Sequence, residues 1–291
     1  MRLSSRITSR LVISPFVLVA VFTFVLCVLW SAQLSFTSSK IFPAYDYVGF
    51  KQYARLFANE RWILSFQNML IFGACLISGA LVIGFLLAVM IDQSVKWESF
   101  WRTVFLYPNA LSFVVTGLAW QWLLNPSLGL PELVRHLGWS DFQLNLLGEE
   151  KTALYAVSIA AVWQASGLVM ALCLAGLRGI DGEIWKATRI DGVPRWKTYL
   201  HIVIPMLGPI FFTAIVLLSL SVVKGFDLVV AMTNGGPGTA TEVPAKFVID
   251  HIQIRANVGL AMAGATVMLI SVVAALAPWV YVQKRRKEAR G

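Results

Sequence analysis

The residues able to carry chemistry are few and scattered. Three histidines, His136, His201 and His251, lie far apart, outside any H-E-x-x-H pattern and without ligand spacing to a neighbour, so no metal-assisted hydrolysis is encoded. The phosphate-cradling sequence G-x-x-x-x-G-K-[ST] is missing, and the dipeptide Gly-Lys occurs nowhere in the chain. ATP cannot be held here in that way. Nor is there a nucleophile with its base or a placed pair of carboxylates, which argues against an enzyme. Cys27, Cys75 and Cys173 show no paired spacing and read as packing residues.

What remains is polar chemistry set into apolar sequence. Lys224 and Asp227, in 219-SLSVVKGFDLVVAMTNGGPG-238, are spaced i, i+3, which on a helix puts both on one face where they neutralise each other. Ionisable side chains inside an apolar span are costly and mark function by default. The pair either steadies a helix bundle or lines a wet cavity and meets a polar solute. The run Asn234-Gly235-Gly236-Pro237-Gly238 cannot continue a helix and specifies tight turns, which suits a loop projecting into a binding cleft. Earlier, 117-GLAWQWLLNPSLG-129 combines Trp120 and Trp122 with the amides of Gln121 and Asn125. Such a cluster serves either as an interfacial aromatic belt or as a sugar platform, rings stacking on C–H faces while amides pair with hydroxyls.

The elements that must position these residues follow from the distribution of charge. Of 291 residues, 58% are hydrophobic and 13% charged, and the mean hydropathy is +0.72, far from the balance of a soluble domain. Six windows hold no Asp, Glu, Lys or Arg: 11–39, 62–91, 103–131, 152–177, 198–223 and 256–283. Each exceeds the roughly 20 apolar residues that cross a bilayer core of about 30 Å, and the need to satisfy backbone polar groups in lipid forces such segments into helices. The fold class is therefore all-α, a polytopic membrane protein with six spans predicted at 11–34, 65–91, 104–124, 152–176, 207–231 and 258–282. Arg2, Arg6 and Arg10 resemble the start of a secretory signal, but the uncharged run is long and no A-x-A site follows, so the first helix is expected to be retained. With both termini cytoplasmic, the inner segments hold 15 Lys and Arg against 8 outside, as the positive-inside rule requires. That bias accounts for the net charge of +9 with no nucleic-acid partner.

One charged segment separates the fourth and fifth spans: 183-EIWKATRIDGVPRWKTYLHIVIP-205. Its first part predicts a short helix with Ile184, Ala187 and Thr188 along one side. Asp191-Gly192 breaks it, Gly192 supplying a left-handed turn. Pro194 then opens a second helix at a favourable first position, with Trp196, Tyr199, Leu200 and Val203 at helical spacing before Pro205. Two short helices joined by a sharp turn thus present an apolar face framed by charge. They either rest on lipid headgroups or dock a cytoplasmic protein.

Here the sequence resembles the permeases of ATP-binding-cassette (ABC) importers. The pattern IDGEIWKATRIDGVPRWKTYLHIVIPMLGP is similar to their coupling loop, which runs E-A-A, then Gly after Asp, then I-x-L-P. The six-span layout, W-Q-W-L-L-N-P at the end of the third span and F-D…T-N-G-G-P-G at the exit of the fifth extend the likeness over most of residues 10–283. They point to the carbohydrate-uptake, binding-protein-dependent class, and T-N-G-G-P-G followed by E-V-P-A-K resembles its glucose/mannose type.

The resemblance implies a type I importer fold over a single transmembrane permease domain, 1–291, with a cytoplasmic coupling loop at 178–206, in the bacterial cytoplasmic (inner) membrane. It implies four kinds of partner besides membrane lipid: a second permease subunit, an ATPase dimer, an external solute-binding protein and a sugar such as glucose or mannose. ATP and Mg belong to the ATPase, so this chain is expected to bind no cofactor. ATPase coupling falls to Glu183, Lys186, Ala187, Thr188, Asp191, Gly192 and Pro205, with Ile204 beside it, while Trp120, Gln121, Asn125, Lys224, Asp227 and Asn234 are the candidates for the sugar pathway. Two positions depart from the pattern. Lys186 stands where Glu is usual and Thr188 where Ala is, so one contact charge is reversed and Glu183, a turn earlier, is the stand-in. The rival class, an ion-gradient-driven secondary transporter, predicts internal repeats and midplane carboxylates; no repeat is evident, and Asp227 is the only clear acidic candidate.

Overall fold

Every long uncharged window is occupied by helix in the computed structural model, which describes residues 2–93 and 95–288, with side chains described for 14–93 and 95–274. Apart from the isolated bridge Thr37–Tyr47 there is no β pairing among the described residues. In chain order the helices are α1 Arg2–Leu34, α2 Lys51–Phe57, α3 Glu60–Asp92, α4 Glu98–Ala110, α5 Phe113–Leu123, α6 Leu130–His136, α7 Glu150–Arg178, α8 Gly182–Ile190, α9 Arg195–Thr198, α10 Ile204–Met206, α11 Gly208–Val223, α12 Phe226–Thr233, α13 Pro244–Gln253 and α14 Val258–Glu288. A π-helical turn, Tyr199–Val203, joins α9 to α10. The basic flanks counted at the two ends, Arg2, Arg6 and Arg10 and the run from Lys284 to Arg290, lie outside the described side chains.

Contacts divide the chain into two compact units, Met1–Trp62 with Phe247–Gly291, and Ile63–Lys246. In the first, α14 packs on α1 and α2. The connection between α1 and α2 is pinned where the Val48 N–H donates to Phe36 O at 2.8 Å and the Gln52 amide donates to Thr37 O at 2.9 Å. Buried Trp62 meets Phe247 edge-on at 5.2 Å, and Arg61 pairs with Asp250 at 2.6 Å. His251 lies over the Phe247 ring at 4.0 Å and donates from Nδ1 to Phe247 O at 2.8 Å. Burial there pushes the His251 imidazole down, toward its neutral form. Along α1, Phe16, Leu18 and Phe22 are exposed, the chemistry of a helix that faces lipid or another chain.

In the second unit α7 is the hub. Ala153, Ala156, Val157, Ala160, Ala161, Val169, Met170, Cys173, Leu174 and Leu177 are buried along it, and its small residues admit neighbours closely. A β-carbon on Gly167 would lie 2.1 Å from Phe105 O of α4. In lipid, whose tails are as apolar as leucine, helix association rests on such close packing.

The third and fifth predicted spans differ from single straight helices. The helix expected at 104–124 is split into α4 and α5, which meet at 100°. Pro108 removes one backbone donor and crowds the preceding turn; Leu111 and Ser112 are extended, with ψ 148° and 151°. The Ser112 hydroxyl then accepts the Val115 N–H at 3.3 Å, starting a new helix. The helix expected at 207–231 stops at Val223 and restarts at Phe226 after Lys224-Gly225. Upstream, residues 195–206 meet 208–223 at 67°. Three helices among the described residues are by themselves long and apolar enough to cross a membrane, and five spans result if each bent pair counts as one.

Candidate functional site

The charged segment folds from its caps inward. The Asp181 carboxylate accepts the Glu183 N–H at 3.0 Å and starts α8. At the other end Asp191 is the C-cap and Gly192 has φ +66°. The Gly192 N–H donates to Arg189 O at 3.2 Å and the Val193 N–H to Thr188 O at 3.0 Å, the paired bonds of a Schellman stop. Open space surrounds a β-carbon placed on Gly192, so the left-handed backbone alone calls for glycine.

The inward face of α8 consists of Ile184, Trp185 and Thr188, whereas Ala187, expected on that side, is exposed. Trp185 meets Tyr199 edge-on at 5.7 Å, and the buried Thr188 hydroxyl donates to Trp185 O at 3.1 Å. Lys186, Ala187, Arg189, Asp191 and Gly192 face outward, and Ile190 is 84% exposed. Lys186 Nζ lies 2.9 Å from Glu183 Oε1, both side chains exposed, so the pair contributes little to stability.

Pro205 does not stop the segment. Helix continues through it to Met206 and turns at Leu207. Because Pro205 has no N–H for the carbonyl four residues earlier, the ladder is interrupted, and the π-helical turn Tyr199–Val203 sits there. A cleft of about 610 Å³ is lined by Asp92 at the end of α3, Trp185, Lys186 and Arg189 of α8, and Arg195 and Tyr199. Arg178 of α7 reaches Glu98 of α4 at 2.7 Å and Asp92 at 3.8 Å, tying three helix ends together.

The six pathway candidates distribute over α5 and α12 and the ends of α5, α11 and α12. Trp120 is half-buried against Trp163 of α7, ring centroids 5.9 Å apart, while Gln121 is exposed. The Asn125 side-chain carbonyl accepts the Ser127 N–H and hydroxyl, both at 2.9 Å, and the Leu128 N–H at 3.2 Å. It therefore shapes its own loop, beside an open cleft of about 280 Å³ lined by Trp122, Asn125 and Leu128. Lys224 and Asp227 do not share a helix: Lys224 is the C-cap of α11 and Asp227 lies in the first turn of α12. Both are exposed, and the spacing rule fails because Gly225 ends one helix and caps the next. Asn234, also exposed, adopts φ +51° at the end of α12.

α5 and α12 pack so closely that a β-carbon on Gly117 would lie 2.5 Å from that of Ala231. The Trp120 helix and the Asp227 helix are thus in contact. The glycine-rich exit is held down rather than free. Asn68, buried on α3, donates to Glu242 O at 3.0 Å and Thr239 O at 3.3 Å, and the Thr233 and Thr241 hydroxyls share a bond of 2.7 Å. Sequence reasoning passed over Asn68 and a second buried amide, Gln164 of α7, whose Nε2 donates to Leu111 O at 2.8 Å. Its signal was available: Gln164 is the sole amide side chain in the uncharged window 152–177.

Residues 80–287 match the family described as binding-protein-dependent transport system inner membrane component. The chain belongs to this family. A probable ABC transporter permease protein of Pyrococcus horikoshii is 34% identical over 278 residues, 95% of each chain. The xylose/arabinose import permease of Haloferax volcanii is 31% identical over 246 residues, 84% of this chain and 77% of that one. In fold, the family member resembles a chain of a bacterial alginate ABC transporter solved in complex with an alginate pentasaccharide-bound periplasmic protein, with TM-score 0.77 and 19% identity over 97% of this chain and 96% of that one. As an inner membrane transport component it falls in the class expected from its sequence, a transport subunit.

Proposed function

We propose that the chain is the membrane-embedded permease of an ATP-driven carbohydrate importer. It crosses the membrane six times with both termini cytoplasmic, α4 with α5 serving as the third span, α11 with α12 as the fifth and α14 as the sixth. A second permease completes the pathway, one subunit of an ATPase dimer that carries ATP and Mg docks on residues 178–206, and an external solute-binding protein delivers the sugar. The observation that carries this is α8, a short helix with a Schellman stop at Gly192, in a chain of the importer family. It offers Lys186, Ala187 and Ile190 outward while Trp185 and Thr188 anchor it.

The anchoring supplies a route for force. Trp185 touches Tyr199, Tyr199 touches Phe85 of α3, and Phe85 touches Phe211 of α11, with ring centroids 5.7, 6.4 and 5.6 Å apart. A push on α8 by closing ATPases reaches two long helices through this contiguous chain. Sugar then passes along Trp120, Gln121, Asn125, Lys224, Asp227 and Asn234, aromatic faces taking C–H surfaces and polar groups taking hydroxyls. Relatives whose names specify xylose/arabinose and alginate support carbohydrate as the class. The narrower proposal, a monosaccharide of the glucose or mannose type, rests on the exit sequence from Thr233 to Lys246.

Two measurements test the proposal. The detergent-solubilised chain is expected to co-purify with an ATPase. In proteoliposomes holding all partners, uptake of labelled glucose is expected to require internal ATP and to survive an uncoupler; uptake without ATP that collapses with the uncoupler would sink the importer assignment. Competition by xylose at equal strength would remove only the glucose/mannose refinement.

A further inference from the structure

We infer that Gln164 is a positioning residue: its amide latches the bend between α4 and α5, and transport requires that latch to release and re-form. The bend exposes a carbonyl. Leu111 closes α4 with an extended backbone, so its oxygen has no helical donor, and Gln164 Nε2, contributed from a helix 53 residues away, fills that place at 2.8 Å. Gln164 is only 4% exposed, yet its Oε1 has no hydrogen-bond partner, and on α5 the fully buried Thr116 hydroxyl is likewise without one. A fully committed structural amide in an apolar core uses both ends. Here one end holds the bend, and two buried acceptors beside or beyond it are left for an arrangement in which α5 has moved.

The surrounding contacts confine such movement to the α5 side. One turn along α7 from Gln164, Gly167 meets the α4 backbone so closely that a β-carbon would fall 2.1 Å from Phe105 O, which seats α4 against α7. α5 instead meets α7 through the Trp120–Trp163 ring pair and is packed on α12 through Gly117 and Ala231. A hydrogen bond across a 100° corner between a seated helix and one carried by a second broken span is where a hinge would be held. The latch concerns the transport cycle and so rests on the importer assignment above.

The test uses the complete transporter in lipid nanodiscs, free of Cys27, Cys75 and Cys173, with spin labels at Val104 of α4 and Leu118 of α5, which are 42% and 47% exposed. ATP with vanadate is the probe, and pulsed EPR reads the distance. Wild type is expected to show a narrow distribution that shifts on trapping nucleotide. Gln164→Met, equal in length but without the donor, is expected to broaden the nucleotide-free distribution and to raise basal ATP hydrolysis by a factor of about 3 to 20, the population shift that loss of one interhelical hydrogen bond produces. Gln164→Glu, whose carboxyl burial and the facing Leu111 carbonyl keep protonated, is expected to hold the wild-type distance at neutral pH and to behave like Met on alkalinisation, when the carboxylate can no longer donate. The Glu variant also carries the test if the Met variant fails to fold. Unchanged distances and hydrolysis in Gln164→Met, or a wild-type distance indifferent to nucleotide, would overturn the latch. ATPase assembly and wild-type turnover in the same samples report on the importer assignment separately.

Discussion

α3 and α7 run unbroken for 33 and 29 residues, about 50 and 44 Å at 1.5 Å per residue, whereas the stretches that carry the pathway candidates are each folded as two helices, α4 with α5 and α11 with α12. All are apolar enough to be helical in lipid, so hydropathy does not distinguish them. Punctuation does: Pro108 and Ser112 in one, Lys224 and Gly225 in the other. The straight helices in turn supply what the broken ones lack. Asn68 of α3 and Gln164 of α7 donate to carbonyls left free by the exit loop and by the bend. Straight frame and broken helices are thus written in one kind of sequence, separated by a few residues and joined by two amides.

The sharpest way to break this comparison is to crowd the frame. Gly167→Val places a side chain where backbone stands, 2.1 Å from Phe105 O, and backbone cannot yield as a rotamer can. Overpacking of this kind costs about 3 kcal/mol or more, and the expected result is a collapse of the monodisperse peak in fluorescence-detected gel filtration. Gly182→Ala, which meets open space, is the control and is expected to leave that peak intact. A well-behaved Gly167→Val would show that α4 is not seated on α7.

Next in size is a change that spares the fold and removes coupling. Gly192→Pro imposes φ of about −65° where the backbone needs +66°, and it deletes the N–H that closes the Schellman pair with Arg189 O. Since α8 is exposed at this end, insertion and yield are expected to stay at wild-type level while transport and sugar-stimulated ATP hydrolysis disappear. Normal coupling in this variant would remove α8 from the docking role. A smaller effect is expected for Asn68→Leu, which frees the Glu242 and Thr239 carbonyls; an interhelical polar contact in a membrane protein contributes about 0.6 kcal/mol on average. Faster hydrogen exchange confined to residues 233–242, with α3 unchanged, is the expected readout, and an exchange pattern identical to wild type would mean the loop is held by its own internal bonds, the Thr233–Thr241 pair among them.

What could be read in advance follows the same division. The long helices and the glycine stop at Gly192 depend on local properties, charge exclusion and the sign of φ, and a sequence window contains both. The bend at Leu111–Ser112 had a local hint in Pro108, but proline is tolerated in membrane helices, and the 100° corner is completed by an amide 53 residues away that no local window includes. Lys224 and Asp227 were misplaced for the complementary reason: i, i+3 pairing presupposes an unbroken helix, and Gly225 lies between them. On α8 the inward face was assigned without Trp185, the residue whose ring anchors it on Tyr199, so Ala187 was turned to the wrong side.

The finest test asks whether α3 is rigid along its whole length, because its first residues belong to the other compact unit, where Trp62 packs on Phe247 and Arg61 pairs with Asp250. Burial depresses the His251 imidazole, with the Phe247 carbonyl acting against that and the cations of Arg255 and Arg61 adding to it. The neutral form is therefore favoured in the fold. On acidification below the ordinary imidazole value of about 6.5, the opened state binds a proton that the closed state resists, so local stability is full above that value and declines as pH falls toward the depressed one. Exchange protection at 58–65 and 247–253, corrected for intrinsic rates, is expected to weaken between neutral and mildly acidic pH while 156–174 of α7 holds. His251→Gln, which keeps a donor for Phe247 O without a titrating group, is expected to abolish the pH dependence. Equal weakening in α7 would show that the two long helices share one stability and that the frame, not its edge, responds to acid.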